Sequence, residues 1–534
     1  MSNQQPIYIM PQDTQRTLGR DAQRNNILAA KLVAETVRTT LGPKGMDKMI
    51  VDAMGDVVVT NDGVTVLEEM QIEHPTAKMI VEVAKTQDDQ VGDGTTTAVI
   101  LSGELLKNAE HLLDQNVHPT VIIKGYGLAA EKAQAILSEM AETITAADKD
   151  KLRNIITTAI TGKGAEASKE KLADILLEAI ETVGLNKDDI KIEKKTGGST
   201  EESELIKGIV LDKERVHSSM PQKLGDVKIA LLDCAIEIKE TEADTKIQVT
   251  DPSQLQAFID REERSLKEMV EKIVATGAKA VFCQKGIDDI AQYYLSKAGI
   301  YAARRVAKSD LEKLARATGA TIISKINELT SLQLGYAGTV EEQKIGDEEM
   351  TYIKGCRNPK SVTILLRGGT THVLAESERA IKDALGDVVA ALESGKVVGG
   401  AGAAEMELAK KLREYATSLS GREQLAALAF ADAIEVVPRT LAENAGLDPI
   451  DMLTELKARH DEGIKWAGLD VFEGKVVNSW EKGIIEPLKL KLQAIKSANE
   501  VAQLILRIDD VIAGGSKKAG PQMPPMGMGG MPQM

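Results

Sequence analysis

The sequence predicts a multidomain protein that combines all-α with α/β parts. Three observations carry that expectation. The 534 residues amount to roughly three or four domains at about 150 residues each. Apolar side chains recur at helical spacing through the first and last thirds of the chain. Between about Ile192 and Leu366, short β-like runs alternate with helical ones, the pattern of a compact α/β domain.

The elements follow in order. Residues 17–41 read as a helix with Ala22, Ile27, Ala30, Val33, Ala34, Val37 and Leu41 on one apolar face. It ends at Gly42-Pro43-Lys44-Gly45, where proline and two glycines forbid continuation. Val57–Thr60, Asn61-Asp62-Gly63 and Val64–Leu67 read as a β-hairpin around a tight turn. Helices are expected from Thr95 to Gln115, then over 120–145 and 148–185. In the middle, Val227–Leu232, Ala280–Cys283 and Thr321–Ser324 look like strands, and 287–297 and 309–318 like helices. Residues 240–268 start charged and patternless, then become helical from about Ser253. On the residues alone they read as an ordinary surface helix, or as an extension whose few apolar side chains (Ile247, Val249, Leu255, Phe258, Ile259) await a partner. Helices return at about 373–393, 403–417, 421–435 and 449–460, and Glu486 to Asp510 ends the folded part. From Gly514 onward the chain is a Gly- and Met-rich tail of low complexity, with 521–534 expected to be disordered.

Composition narrows the function. With 81 Asp and Glu against 66 Lys and Arg, and only 2 Trp, 8 Tyr and 4 Phe, the chain lacks both the basic groove and the stacking surfaces of a nucleic-acid binder. No run of about 18 apolar residues predicts a membrane span, and the first residues have no secretory pattern. Cys234, Cys283 and Cys356 are few, odd in number and far apart, which fits a reducing, cytoplasmic setting with buried thiols. The scattered histidines offer no zinc spacing.

No Walker A or dinucleotide fingerprint occurs. Phosphate can still be held by glycine-rich turns with free amides at a helix start. Leu41–Gly45 is one candidate, and Gly92-Asp93-Gly94-Thr95-Thr96-Thr97 is the better one. Asp93 there reads as a Mg²⁺ ligand beside phosphate oxygens, or as a helix cap. Asp62 in its turn and Asp383 in mid-helix read by default as a turn former and a solvated side chain; either could orient a water for phosphoanhydride hydrolysis. Gly399-Gly400-Ala401-Gly402 reads as a hinge or close-approach turn.

Taken together, TVRTTLGPKGMDKM (36–49), NDGVTVL (61–67), VGDGTTTAVIL (91–101), RGGT (367–370), ERAIKDAL (378–385), VVGGAGAAE (397–405), the 420–448 segment, GIIEP (483–487) and RIDDVI (507–512) resemble a group II chaperonin along nearly the whole chain. The resemblance implies a chaperonin fold. A mostly helical equatorial ATP-binding domain would come from 1–145 and 403–520, an intermediate hinge domain from 146–215 and 367–402, and an α/β apical substrate-binding domain from 216–366. The 240–268 segment would be a helical protrusion forming a built-in lid, with no separate co-chaperonin. The implied activity is ATP hydrolysis with Mg²⁺, coupled to folding of non-native protein clients inside a double ring of identical or paralogous subunits, a hexadecamer or octadecamer. Leu41, Gly42 and Pro43 would line the nucleotide, Asp93 would ligate Mg²⁺, and Gly94, Thr95, Thr96 and Thr97 would wrap the phosphates. Asp62 and Asp383 would activate water, and Thr161 and Lys163 would approach the phosphates. Gly400, Asp470, Glu486 and Lys491 would hold the adenosine part. Two departures stand out: Ala401 replaces the middle of three glycines, and Asn478-Ser479-Trp480 replaces a frequent Asp-Met pair and a smaller residue, leaving Trp480 either to stack or to pack. A small-molecule phosphotransferase and a structural ring protein with vestigial ATPase are the readings from other classes.

Overall fold

The two ends of the chain build one helical layer. In the computed structural model, which describes residues 15–52, 54–164, 166–238, 252–345, 348–357 and 359–513, strand Gln15–Leu18 pairs antiparallel with strand Asp510–Ala513. Arg16 clasps Asp510 at 2.6 Å across that pair. Helix Gly19–Arg38 packs its expected apolar face on helix Thr95–Asp114, and helices Pro119–Met140, Ala403–Ser418, Arg422–Ile434 and Leu488–Leu506 close the same core. Small residues set the spacing: a Cβ on Gly103 would lie 2.4 Å from the Ala34 Cβ. The Tyr126 ring meets Phe430 edge-on at 5.6 Å, and its hydroxyl donates to the Leu105 carbonyl at 2.7 Å, so this large buried ring leaves no orphaned polar atom.

A second core gathers helices Lys149–Ile160, Lys169–Val183 and Thr371–Ser394 beside a three-stranded sheet in which Val362–Gly368 lies between Ile190–Thr196 and Glu204–Ile206. A third region is a seven-stranded mixed sheet covered on both faces. Strand Lys223–Leu232 shows why: Ile229 and Leu231 join one apolar cluster, Ala230 and Leu232 the other, so its last four residues are all buried. Helix Lys308–Thr318 covers one face, and helices Pro252–Ala275 and Asp289–Lys297 the other. Strands Glu142–Thr143, Lys396–Gly399 and Ile485–Pro487 form a small sheet that knots three distant stretches of chain together, with Lys396–Gly399 in the middle.

The structure corrects several expectations. Val57–Thr60 pairs backward with Lys48–Val51, and the segment after Asp62 is helix Gly63–Glu69, not a return strand. The reason is local: the Asp62 carboxylate accepts from the Thr65 amide at 3.1 Å and caps a helix that the β-branched residues alone do not announce. The helix expected over 148–185 breaks at Thr161, where Gly162 (φ 83°) turns the chain. Helices Pro75–Gln90 and Val436–Asn444 were not foreseen. The expected protrusion falls partly outside the described residues, which resume at Pro252 in one continuous helix; the Gly/Met tail lies outside them altogether.

Candidate functional site

A cleft of about 490 Å³ opens where the first two cores meet, a size typical of small-ligand sites. Its floor is the start of helix Thr95–Asp114. The N-cap is Gly94 in the left-handed region (φ 76°), with Gly92 at φ 94° before it, and no side chain caps the first amides. The reading of Asp93 as a helix cap is therefore wrong: the backbone bend removes its carboxylate from the helix axis and leaves it facing the cleft. Gln87 holds the turn by donating to the Asp93 carbonyl at 3.0 Å. Bare N–H groups and the positive end of a 20-residue helix make a phosphate cradle.

The walls come from far-apart segments. Leu41, Gly42 and Pro43 line one side, and a Cβ on Gly42 would lie 2.3 Å from Leu441 Cδ2. Thr161, Gly162 and Lys163 line another, held close because a Cβ on Gly162 would lie 2.3 Å from Pro43 Cα. Asn61 donates to the Gly162 carbonyl at 3.2 Å. Asp62, Thr95, Thr96, Thr97, Asp470, Glu486 and Lys491 also face the cavity. Asp62 is heavily used: Oδ2 accepts from the Thr65 hydroxyl at 2.6 Å and Oδ1 from the Thr95 hydroxyl at 3.1 Å. Asp470 accepts from the amides of Phe472 and Glu473, both at 3.0 Å, which fixes a turn at the cavity mouth.

Two expected residues stand behind the wall. Gly400 packs against Glu486, where a Cβ would lie 3.1 Å from its carboxyl carbon. Asp383 is not a solvated side chain: its carboxylate is mostly buried and takes the Lys163 ammonium at 2.5 Å, while the same ammonium lies 3.4 Å from Asp93. Burial opposes the Lys163 charge, but Asp383 and Asp93 outweigh it and raise its pKa. Burial, against the pull of Lys163 and with added repulsion from Asp93 and Asp62, pushes Asp383 up to about 8. Deeper in, Lys491 bridges Glu405 at 2.8 Å and Glu486; burial opposes its charge too, and the two acids raise its pKa.

Two residues escaped the sequence reading. Glu405, at the start of helix Ala403–Ser418, is a buried partner of Lys491. Asp387 is buried and lines the cleft, and burial followed by the Asp93 charge raises its carboxyl well above the usual range. Its position one turn after Asp383 on the same helix was the available signal. Ala401 sits at φ 57°, the left-handed conformation a glycine would take freely. Trp480 packs: it stacks on Trp466 at 6.1 Å and does not line the cavity.

The residues present fit a nucleotide with Mg²⁺. Gly42 and Gly94 sit so close to Leu441 and to Leu490 and Gln87 that side chains there would displace the cradle's wall, and a carboxylate faces the cleft from Asp93. Mg²⁺ is usually held by one or two carboxylates plus phosphate oxygens and water, and Asp93 supplies one such carboxylate here.

A helical layer made from both chain ends, a second core beside it and a two-faced α/β sheet beyond define the chaperonin fold. The TCP-1/cpn60 chaperonin family model matches residues 33–516, and the chain belongs to that family, among its group II members. It is 60% identical to a thermosome subunit beta from Archaeoglobus fulgidus over 99% of this chain and 98% of that one. It is 58% identical to the subunit alpha of the same organism, over 97% of each. Among solved structures it resembles the open-state monomer of a group II chaperonin from Methanococcoides burtonii, with a TM-score of 0.58 and 50% identity, over 78% of this chain and all of that one. The chain is thus a chaperone of protein folding. Among the described residues no helix is long and apolar enough to cross a membrane.

Proposed function

We propose that this chaperone is driven by ATP hydrolysis in the cleft. The observation that carries the reading is the meeting of three distant segments at one ammonium: Lys163 reaches both Asp93 at the helix start and Asp383 on helix Thr371–Ser394. The free amides of Thr95, Thr96 and Thr97 would take the phosphates, and Leu41, Gly42 and Pro43 would flank them. Asp470, Glu486, Lys491 and, from behind, Gly400 would hold the adenosine end. Asp93 would ligate Mg²⁺, whose charge would offset that of the phosphates. Asp383, in its ionised form beside the Lys163 ammonium, would accept a proton from the attacking water, and Asp62 would orient that water. Thr161 and Lys163 would sense the phosphate from the opposite wall.

Asp383 and Lys163 belong to elements of the second core, whereas Asp62 and Asp93 belong to the first. Hydrolysis would therefore require the two bodies to close on each other, which couples chemistry to shape. The separate cores support assigning 1–145 with 403–520 as equatorial, 146–215 with 367–402 as intermediate, and 216–366 as apical; 240–268 would be the lid. Clients would be non-native proteins confined in a double ring of this subunit or paralogues; an alpha and a beta thermosome subunit in one organism support the paralogue option. The test is ATP-driven refolding of an unrelated denatured enzyme, with electron microscopy of the same sample. Rings that refold the client with ATP are expected. Asp383→Ala should bind ATP yet lose hydrolysis by about 10²–10⁴-fold. Normal steady-state hydrolysis in that variant, or rings without refolding, would sink the reading.

A further inference from the structure

The cleft holds one carboxylate that the proposed chemistry leaves idle. Asp387 is 3% exposed and lines the cavity, and its Oδ1 has no hydrogen-bond partner. A buried carboxylate left without a partner costs several kcal/mol by general estimate, so its retention needs a reason. Among the described residues no cation forms an ion pair with it: Lys163, whose charge is felt at Asp387, is paired with Asp383 and Asp93, and Lys491 with Glu405 and Glu486.

The backbone explains its placement. Gly386, just before it, faces the 91–94 turn so closely that a Cβ would lie 2.4 Å from the Val91 carbonyl oxygen and 3.2 Å from Gly92 Cα. Gly92 in turn would bring a Cβ to 3.4 Å from Gly386 Cα. Two glycines back to back thus seat helix Thr371–Ser394 directly on the turn that carries Asp93. The consequence is a second carboxylate on the same side of the cleft as Asp93, fixed by helix packing and not by a mobile loop.

We propose that Asp387 is the outer carboxylate of the cation site, its carboxylate accepting hydrogen bonds from water carried by the Mg²⁺ at Asp93. This rests on the nucleotide reading above. Mg²⁺ gives up its water reluctantly and is usually held by one or two carboxylates plus phosphates, so an acceptor placed behind the direct ligand is the chemistry the ion calls for. Such outer partners orient the ligand shell and typically contribute about 10–100-fold in metal affinity. Asp387 is in this sense a positioning residue. It touches neither the phosphates nor the attacking water.

The experiment is calorimetric titration of the intact assembly with ADP, once with Mg²⁺ and once in excess chelator. Asp387→Asn keeps the shape and removes the carboxylate. The expected result is a loss of about 10-fold or more in the affinity gained from Mg²⁺, with ADP affinity in chelator unchanged or tighter. Asp387→Ser is the second variant and should behave alike. Thermal melting without Mg²⁺ should show Asp387→Asn at least as stable as the parent, because a buried carboxyl without a partner has gone. An undiminished Mg²⁺-dependent gain in both variants overturns the proposal, as does an equal loss with and without Mg²⁺, the mark of a merely structural role. If the parent itself binds no ADP, the nucleotide reading fails first, and the result is distinguishable from failure of Asp387 alone.

Discussion

Single residues settle what this cleft can do. Ala401 adopts φ 57°, and its carbonyl still accepts from the Leu469 amide at 2.9 Å, so the backbone path is kept against the preference of an L side chain. Ala401→Gly should therefore stabilise the protein by about 1 kcal/mol, read as a raised denaturation midpoint. An unchanged or lowered midpoint would show that the strain is relieved elsewhere. The acidic cluster makes a second prediction. Asp383 has a carboxyl pushed up to about 8, so between about pH 4 and 8 the folded chain holds a proton that the unfolded chain has released. Its contribution to stability is complete at the acid end and falls away as pH rises through that window. Melting curves of the nucleotide-free protein in Mg²⁺-free buffer should follow this, and Asp383→Asn should flatten the slope. An identical slope in the variant would assign the dependence to other groups. At this scale the sequence was informative about chemistry and silent about partners. Asp93 could be weighed as ligand or cap on residue type, but only the φ of 76° at Gly94 removed the cap.

Elements are where reading and structure diverged, and the causes are part local, part tertiary. Val64–Leu67 is β-branched and apolar, yet it is helical because Asp62 caps it and because Val64, Val66 and Leu67 are buried in the first core. Helix Pro75–Gln90 went unseen although Pro75 sits at its first turn and His74 caps it through Nδ1, accepting from the Thr76 amide at 3.2 Å. Histidine is an uncommon cap and gave no signal. Helix Thr371–Ser394 carries the element-scale prediction. Gly386→Ala would gain up to about 1 kcal/mol in helix propensity. Its Cβ, however, would press on the Val91 carbonyl and Gly92, backbone atoms that cannot swing aside. Overpacking of that kind costs about 1–3 kcal/mol. The expected outcome is a lowered urea midpoint with weakened ADP binding; a raised midpoint with full binding would mean the helix can slide on the turn.

At the scale of the whole molecule, the first core is assembled from both termini. Helix Leu488–Leu506 packs on helices Pro75–Gln90, Thr95–Asp114 and Pro119–Met140, burying Leu488, Ile495, Ala498, Ala502, Ile505 and Leu506. It also delivers Lys491 to the cleft. A chain truncated after Pro487 should therefore lose cooperative unfolding of the helical layer and all ADP binding, although the seven-stranded sheet region, built from residues between about 208 and 356, retains its own two-faced core. Far-ultraviolet dichroism during heating, with an ADP titration, checks this. A two-step melt with intact nucleotide binding would contradict it. The cost of such nesting is kinetic: contacts between residues some 400 positions apart, such as Gln87 Nε2 with the Leu490 carbonyl at 3.3 Å, close only after long loops have formed.

What the sequence determined by itself was composition, periodicity and the local turns. Helical ends, an α/β middle and two glycine-bearing turns are all encoded within a few residues of themselves, and the motif order was enough to identify the family. What only the tertiary structure decided was which of those pieces meet. Lys163 between Asp93 and Asp383, Asp387 aimed unpartnered into the cleft, and Lys491 between Glu405 and Glu486 all depend on side chains brought together across long stretches of chain. A buried charge takes its meaning from the few ångströms around it, and no local pattern along a chain specifies those neighbours.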